Sequence, residues 1–113
     1  MERKYAEFAA TKACELLAID SPSGYTRKAA TWVKEAFEAL GFAANITTKG
    51  GVLADLGGAD KDDALFLQAH TDTLGAMVAE IKANGRLKFT PLGGLRAENA
   101  ETENVRVHTR TGK

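Results

Sequence analysis

The sequence predicts an α/β fold, on three observations. Two amphipathic helical stretches open the chain, an uncharged apolar run at residues 64–69 reads as a strand buried on both faces, and shorter alternating stretches stand on either side of it. The 113 residues are 44 % hydrophobic and 27 % charged, the balance of one globular domain or part of one. Fifteen basic side chains cancel fifteen acidic ones, so net charge argues for neither nucleic acid nor an anionic membrane as partner. No apolar stretch has the length of a bilayer span, and the N-terminal residues lack the hydrophobic core of a signal peptide. The one cysteine, Cys14, permits no internal disulfide. A cytoplasmic chain is expected, with Cys14 a small buried apolar residue.

The first helix is expected over residues 5–18. Tyr5, Phe8, Ala9, Ala13, Leu16 and Leu17 recur at spacings of three and four, with Lys12 at the flank. Asp20-Ser21-Pro22-Ser23-Gly24 ends the pattern, because Pro22 disfavours helix at Ser21. This loop reads as a plain helix–helix connection with Ser23 or Thr26 near the next cap. A second helix is expected over residues 26–40, with Ala29, Ala30, Val33, Ala36, Phe37 and Leu40 as its stripe and Gly41 as its stop. Trp32 lies off the stripe and is expected to cover a neighbouring element. Residues 42–48 and 52–56 read as strands around the turn Lys49-Gly50-Gly51, with Val52, Ala54 and Leu56 on one face. Gly57-Gly58 and Ala59-Asp60-Lys61-Asp62-Asp63 form a polar turn into the central strand. Neither glycine pair leads into a helix or carries the Lys-Ser/Thr ending of a phosphate loop.

The expected strand at residues 64–69 stops at His70-Thr71-Asp72-Thr73. In open α/β sheets ligands sit outside the carboxyl ends of strands. Two readings of the pair stand. In one, His70 offers a nitrogen to a divalent ion while Asp72 holds the other ring nitrogen and fixes its tautomer. In the other, the cluster is a solvated strand end with Asp72 as a cap. A catalytic zinc takes about three protein ligands and a water, so His70 by itself is not a site.

A hairpin follows over residues 76–92, around Asn84-Gly85. A two-residue loop would place Ile81 opposite Lys88. A three-residue loop, Ala83-Asn84-Gly85, places Ile81 opposite Leu87, Ala79 opposite Phe89, Glu80 opposite Lys88 and Lys82 opposite Arg86. One residue of slip flips every side chain, so the faces select the three-residue loop with Gly85 left-handed. Pro91-Leu92-Gly93-Gly94 ends the hairpin, and residues 95–104 read as a loop or short helical turn. Residues 105–109 alternate like a strand, with His108 on the solvated face, and Thr111-Gly112-Lys113 reads as a turn. A strand entering a turn with no return strand reads as a truncated chain.

Taken together, Ser21-Pro22-Ser23-Gly24, the strand end His70-Thr71-Asp72, Leu74-Gly75-Ala76-Met77-Val78, the Asn84-Gly85 hairpin and Phe89-Thr90-Pro91-Leu92-Gly93-Gly94 resemble the M42 family of metallo-aminopeptidases. The resemblance runs from the first helix to Gly94. It implies a fragment of a zinc-exopeptidase-like mixed sheet packed by two N-terminal helices, with residues 1–92 in the catalytic domain and residues 93–113 opening an inserted second β domain. It implies cytoplasmic enzymes that remove N-terminal residues from peptides, hold two divalent ions, zinc or cobalt, and assemble into homo-oligomeric shells. By the same resemblance His70 ligates one ion, Asp72 orients it as a catalytic residue, and a glutamate acts as general base. The remaining ligands and that glutamate have no match in this chain. Asp55, Asp60, Asp62 and Asp63 precede the central strand and fall at the wrong end of the sheet. The expectation is therefore an N-terminal portion of a peptidase that is inactive alone, holds no metal alone, exposes apolar surface and self-associates. Two other readings remain. An M20-type peptidase or deacylase shares the His-x-Asp strand end, though residues 89–94 favour M42. A small α/β binding module would instead close its own sheet.

Overall fold

The helix over Arg27–Ala39 forms where its stripe of alanines and aromatics places it, and it ends for a local reason. In this computed structural model, which describes residues 2–60 and 62–112, the chain divides into two units, Met1–Thr73 and Leu74–Lys113. The first unit contains α1 (Arg3–Leu17), α2 (Arg27–Ala39), β1 (Ala44–Ile46) and β2 (Val52–Ala54). Gly41 takes φ +89°, so its N–H reaches the Glu38 carbonyl at 2.9 Å and the Phe42 N–H reaches the Phe37 carbonyl at 3.1 Å. Those bonds satisfy carbonyls that the helix end would otherwise orphan.

β1 and β2 pair antiparallel, Ala44 opposite Ala54 and Ile46 opposite Val52. Their turn closes through the Thr47 N–H to the Gly51 carbonyl at 2.8 Å. α2 packs on this hairpin through small side chains: Ala29 is 0 %, Ala30 6 % and Ala44 4 % exposed. Methyl-sized contacts let the helix backbone approach the strands closely, and these alanines are the buried apolar residues of the described chain. Trp32, half-buried, faces α1, with the Lys12 Nζ 5.6 Å from its ring centroid. It covers a neighbouring element, as its position off the stripe implies.

The apolar surface expected of this chain is present, while two expectations for this unit fail, the burial of Cys14 and the strand at residues 64–69, because a local pattern names a face to bury without supplying the cover. α1 forms, but none of its residues is buried, and Tyr5, Phe8 and Leu17 all face outward. Cys14 is accordingly exposed, not a buried apolar residue. Residues 64–69 form no strand, and Leu65, Phe66 and Leu67 are 84 %, 71 % and 75 % exposed. A strand exists only by pairing, and both sheets are two-stranded and antiparallel, β1–β2 and β3–β4. The α/β class stands, but the expected mixed sheet with a buried central strand is not formed by the described residues. Before that stretch the Asp55 Oδ1 accepts the Gly57 N–H at 2.9 Å, and the Asp60 Oδ1 accepts the Asp62 N–H at 2.9 Å. Lys61, in the same polar turn, lies outside the described residues.

In the second unit β3 (Gly75–Ile81) pairs antiparallel with β4 (Leu87–Leu92). The loop is the three-residue one: Ile81 stands opposite Leu87, Glu80 opposite Lys88, and the Lys82 N–H reaches the Arg86 carbonyl at 2.9 Å. Gly85 sits at φ +80°, the left-handed position this loop requires. The register then departs from expectation. A bulge lies between Val78 and Glu80, so Phe89 faces Val78 instead of Ala79, and Thr90 faces Met77. The extra residue gathers Val78, Ile81, Leu87 and Phe89 on one face, which a regular ladder would have split. A short 3-10 turn follows at Ala97–Asn99, and the Gly112 N–H closes a turn on the Thr109 carbonyl at 3.1 Å. Lys113, the last residue of that expected turn, lies outside the described residues. Residues 105–109 do not form the expected strand, and Val105 is 73 % exposed. Among the described residues no helix is long and apolar enough to cross a membrane.

Large apolar side chains left in solvent should drive association. Sedimentation velocity over a concentration series is expected to show a rising weight-average mass, reduced by Phe66→Glu. A wild-type chain that stays monomeric throughout would refute this.

Candidate functional site

The loop between α1 and α2 is joined to residues 71–73, some fifty positions later, by a set of hydrogen bonds. Ser21 is 2 % exposed and makes two of them. Its Oγ donates to the Thr71 carbonyl at 2.8 Å, and its own carbonyl accepts the Thr73 N–H at 2.9 Å. Pro22 and Thr73 form a parallel bridge, and the Tyr25 N–H closes a turn on the Pro22 carbonyl at 2.8 Å. Pro22 has no N–H to donate, so the pairing runs through Ser21 instead.

This pairing fixes the backbone that carries the two candidate side chains, His70 and Asp72. The His70 Nδ1 lies 3.0 Å from the Asp72 Oδ1 and 3.1 Å from the Asp72 carbonyl oxygen. Both neighbours are acceptors, so Nδ1 carries the proton and the neutral ring keeps a lone pair on Nε2. The His70 side chain is 84 % exposed, which leaves Nε2 accessible from solvent. The other Asp72 oxygen, Oδ2, accepts from the Ser23 Oγ at 2.7 Å. The Asp72 carboxyl is held below the usual carboxylate range, first by the Ser23 hydroxyl and then by His70, against a smaller opposing effect of desolvation.

The sequence pairs two of these groups by the His-x-Asp spacing, and it gives the two serines the part of a connection, with Ser23 or Thr26 near a cap. Thr26 does occupy the N-cap position of α2, but no side chain caps the helix, and the Ser23 hydroxyl is spent on Asp72. The signal of the two serines in the chain is the Ser21-Pro22-Ser23-Gly24 stretch itself, which enters the family resemblance without a role for either serine. Asp55 and Asp60 hold backbone amides in turns. Among the described residues no three His, Cys, Asp or Glu side chains converge as a metal-binding group. The donor chemistry therefore fits one ligand of a metal site, a tautomer-fixed imidazole, and not a whole site.

The sign of the Asp72 shift gives a pH dependence. Its carboxyl is more acidic folded than unfolded, so the ionised form favours the folded arrangement. That contribution is fully present above the unfolded carboxylate pKa and fades as pH falls through the lower folded value. Carboxyl 13C NMR in chelator-treated buffer is expected to show Asp72 titrating below a model aspartate, with Ser23→Ala moving it upward. An unchanged titration in the variant would contradict the assignment of Ser23 as the main cause.

Comparison with known proteins extends the match beyond the pair. The model of the M42 glutamyl aminopeptidase family covers residues 50–113, more than half of the chain, and takes in His70 and Asp72. YhfE of Bacillus subtilis (strain 168), which carries an aminopeptidase name, is 40 % identical over 99 residues, 88 % of this chain and 29 % of that protein. The glutamyl aminopeptidase of Lactococcus lactis subsp. cremoris (strain MG1363) is 28 % identical over 99 residues, 87 % of this chain and 28 % of that protein. The chain spans less than a third of the length of these curated relatives. Between the M42 and M20 readings of the histidine and aspartate pair the family match decides, and the chain belongs to the M42 glutamyl aminopeptidase family.

Proposed function

We propose that this chain is the N-terminal portion of a metal-dependent aminopeptidase, in which His70 ligates a divalent ion, zinc or cobalt, through Nε2. The observation that carries this reading is the Asp72 Oδ1 lying 3.0 Å from the His70 Nδ1, an acceptor that favours the ring proton there and leaves Nε2 as the lone-pair donor. Asp72 orients the imidazole, and it remains ionised because the Ser23 hydroxyl and His70 hold its oxygens. A bound pair of divalent ions would supply Lewis-acid polarisation of the scissile carbonyl and a water of lowered pKa. Nothing in residues 2–60 and 62–112 supplies the convergent carboxylates for the rest of such a centre, so we assign the remaining ligands and the general base to a longer polypeptide. In that polypeptide residues 93–113 open the second β domain, peptides with free N-termini are the substrates, and the protein works in the cytoplasm as a homo-oligomer. Membership of the M42 family and the aminopeptidase names of the relatives support this reading.

The test uses a polypeptide of the relatives' length that contains this chain. It is expected to release the first residue from a peptide with a free N-terminus and to spare the acetylated peptide. His70→Ala is expected to lower metal content together with activity by at least about a hundredfold, and Asp72→Asn to lower metal affinity by about 10–100-fold. Turnover and metal content unaffected by His70→Ala would overturn the reading. For the 113-residue chain alone, calorimetry with zinc or cobalt is expected to give weak binding or none. Tight stoichiometric binding lost in His70→Ala would show that the chain or its oligomer completes a site.

A further inference from the structure

We propose that Ser23 is a positioning residue for His70, acting through Asp72. The inference rests on the reading of His70 as a ligand and goes beyond it by naming the group that sets that ligand's tautomer. The geometry is a relay of three side chains. The Ser23 Oγ donates to Oδ2 of Asp72 at 2.7 Å, and Oδ1 of the same carboxylate lies 3.0 Å from the His70 Nδ1.

A carboxylate turns readily about its last side-chain bond, and that torsion has broad wells. The Asp72 side chain is 44 % exposed, so packing does not prevent the turn. A donor on Oδ2 does. With Oδ2 engaged by a charge-assisted hydrogen bond, Oδ1 stays directed at the ring. Ser23 can act as a fixed point because its loop is itself fixed. Ser21, two residues earlier, is buried and joined to Thr71 and Thr73 by two bonds, so serine and aspartate sit on segments already paired. Ser21 thus holds the two backbones together, and Ser23 holds the rotation of one carboxylate.

The consequence falls on His70. In an unconstrained neutral histidine the ring proton favours Nε2, the wrong nitrogen for a ligand that presents Nε2 to a metal. The carboxylate oxygen aimed at Nδ1 reverses that preference, and without Ser23 the carboxylate is free to turn away.

The readout is the tautomer itself. Long-range 1H–15N correlation of the His70 ring is recorded on the chelator-treated chain, well above the ordinary histidine pKa of about 6.5. Wild type is expected to hold the proton on Nδ1. Ser23→Ala is expected to raise the ratio of the Nε2–H to the Nδ1–H form several-fold, and Ser23→Thr to restore it. Should the alanine variant lose its amide dispersion, Ser23→Cys, similar in size and a weaker donor, replaces it with the same expected direction. A ratio in Ser23→Ala or Ser23→Cys equal to wild type, or an Nε2–H wild-type ring, would overturn the proposal. An unchanged ratio in Ser23→Ala or Ser23→Cys leaves the ligand reading standing, and that reading fails separately if His70→Ala in the longer polypeptide leaves metal content unchanged.

Discussion

Ser21 is the residue on which the arrangement of the site depends. Its hydroxyl and its carbonyl each bind the backbone of residues 71–73, across a separation of about fifty residues. Each such bond contributes about 1 kcal/mol net, but removing one partner from a buried group costs more, about 1–3 kcal/mol. At 2 % exposure Ser21 is in that second regime, and its hydroxyl is satisfied by the Thr71 carbonyl. Without this attachment the segment bearing His70 and Asp72 would have no regular structure to hold it, because residues 64–69 form no strand.

Electrostatics act on top of that attachment. Asp72 accepts from a hydroxyl on one oxygen and faces an imidazole on the other, and both lower its pKa. An ionised carboxylate is the partner that keeps the neutral ring's proton on Nδ1. The backbone pairing, the low carboxyl pKa and the histidine tautomer therefore form one chain of causes. It begins with two serines on either side of a proline that ends the helical pattern.

What the sequence made legible follows from the range of each interaction. α2 was readable because its stripe and its stop at Gly41 are local. The hairpin loop was readable because shifting it by one residue would have set Ile81 against Lys88. The bulge beside Ala79 was not, since Met77, Ala79 and Ile81 alternate as regularly as a flat strand, and a methyl group has little preference between faces. The run Leu65-Phe66-Leu67 departs from the strand expectation for a related reason. Apolar composition reports that a segment prefers cover, whereas strand formation depends on a partner elsewhere in the chain. The exposure of Cys14 repeats that lesson. At the candidate site, the two-residue spacing of His70 and Asp72 left two readings open, and the metal reading came from the resemblance of the surrounding stretches to the M42 family. The parts played by Ser21 and Ser23 could not be read, because their partners lie fifty and forty-nine residues away.

The contrast between the exposed apolar stripes and the ordered site carries a physical argument. A ligand placed on the end of a sheet strand would depend on that sheet for its geometry. Here the strand is not formed, yet the imidazole–carboxylate pair is held by bonds that all lie within residues 21–73. The ordering entropy of His70 is thus offset locally, by hydrogen bonds to a neighbouring loop, and not by burial of residues 64–69. Preorganisation of this kind lowers what a metal would have to spend on ordering its first ligand. Under the function proposed above, the imidazole is set before the other donors are brought to it. The affinity of the complete centre would then reflect how those donors are assembled more than how His70 is held.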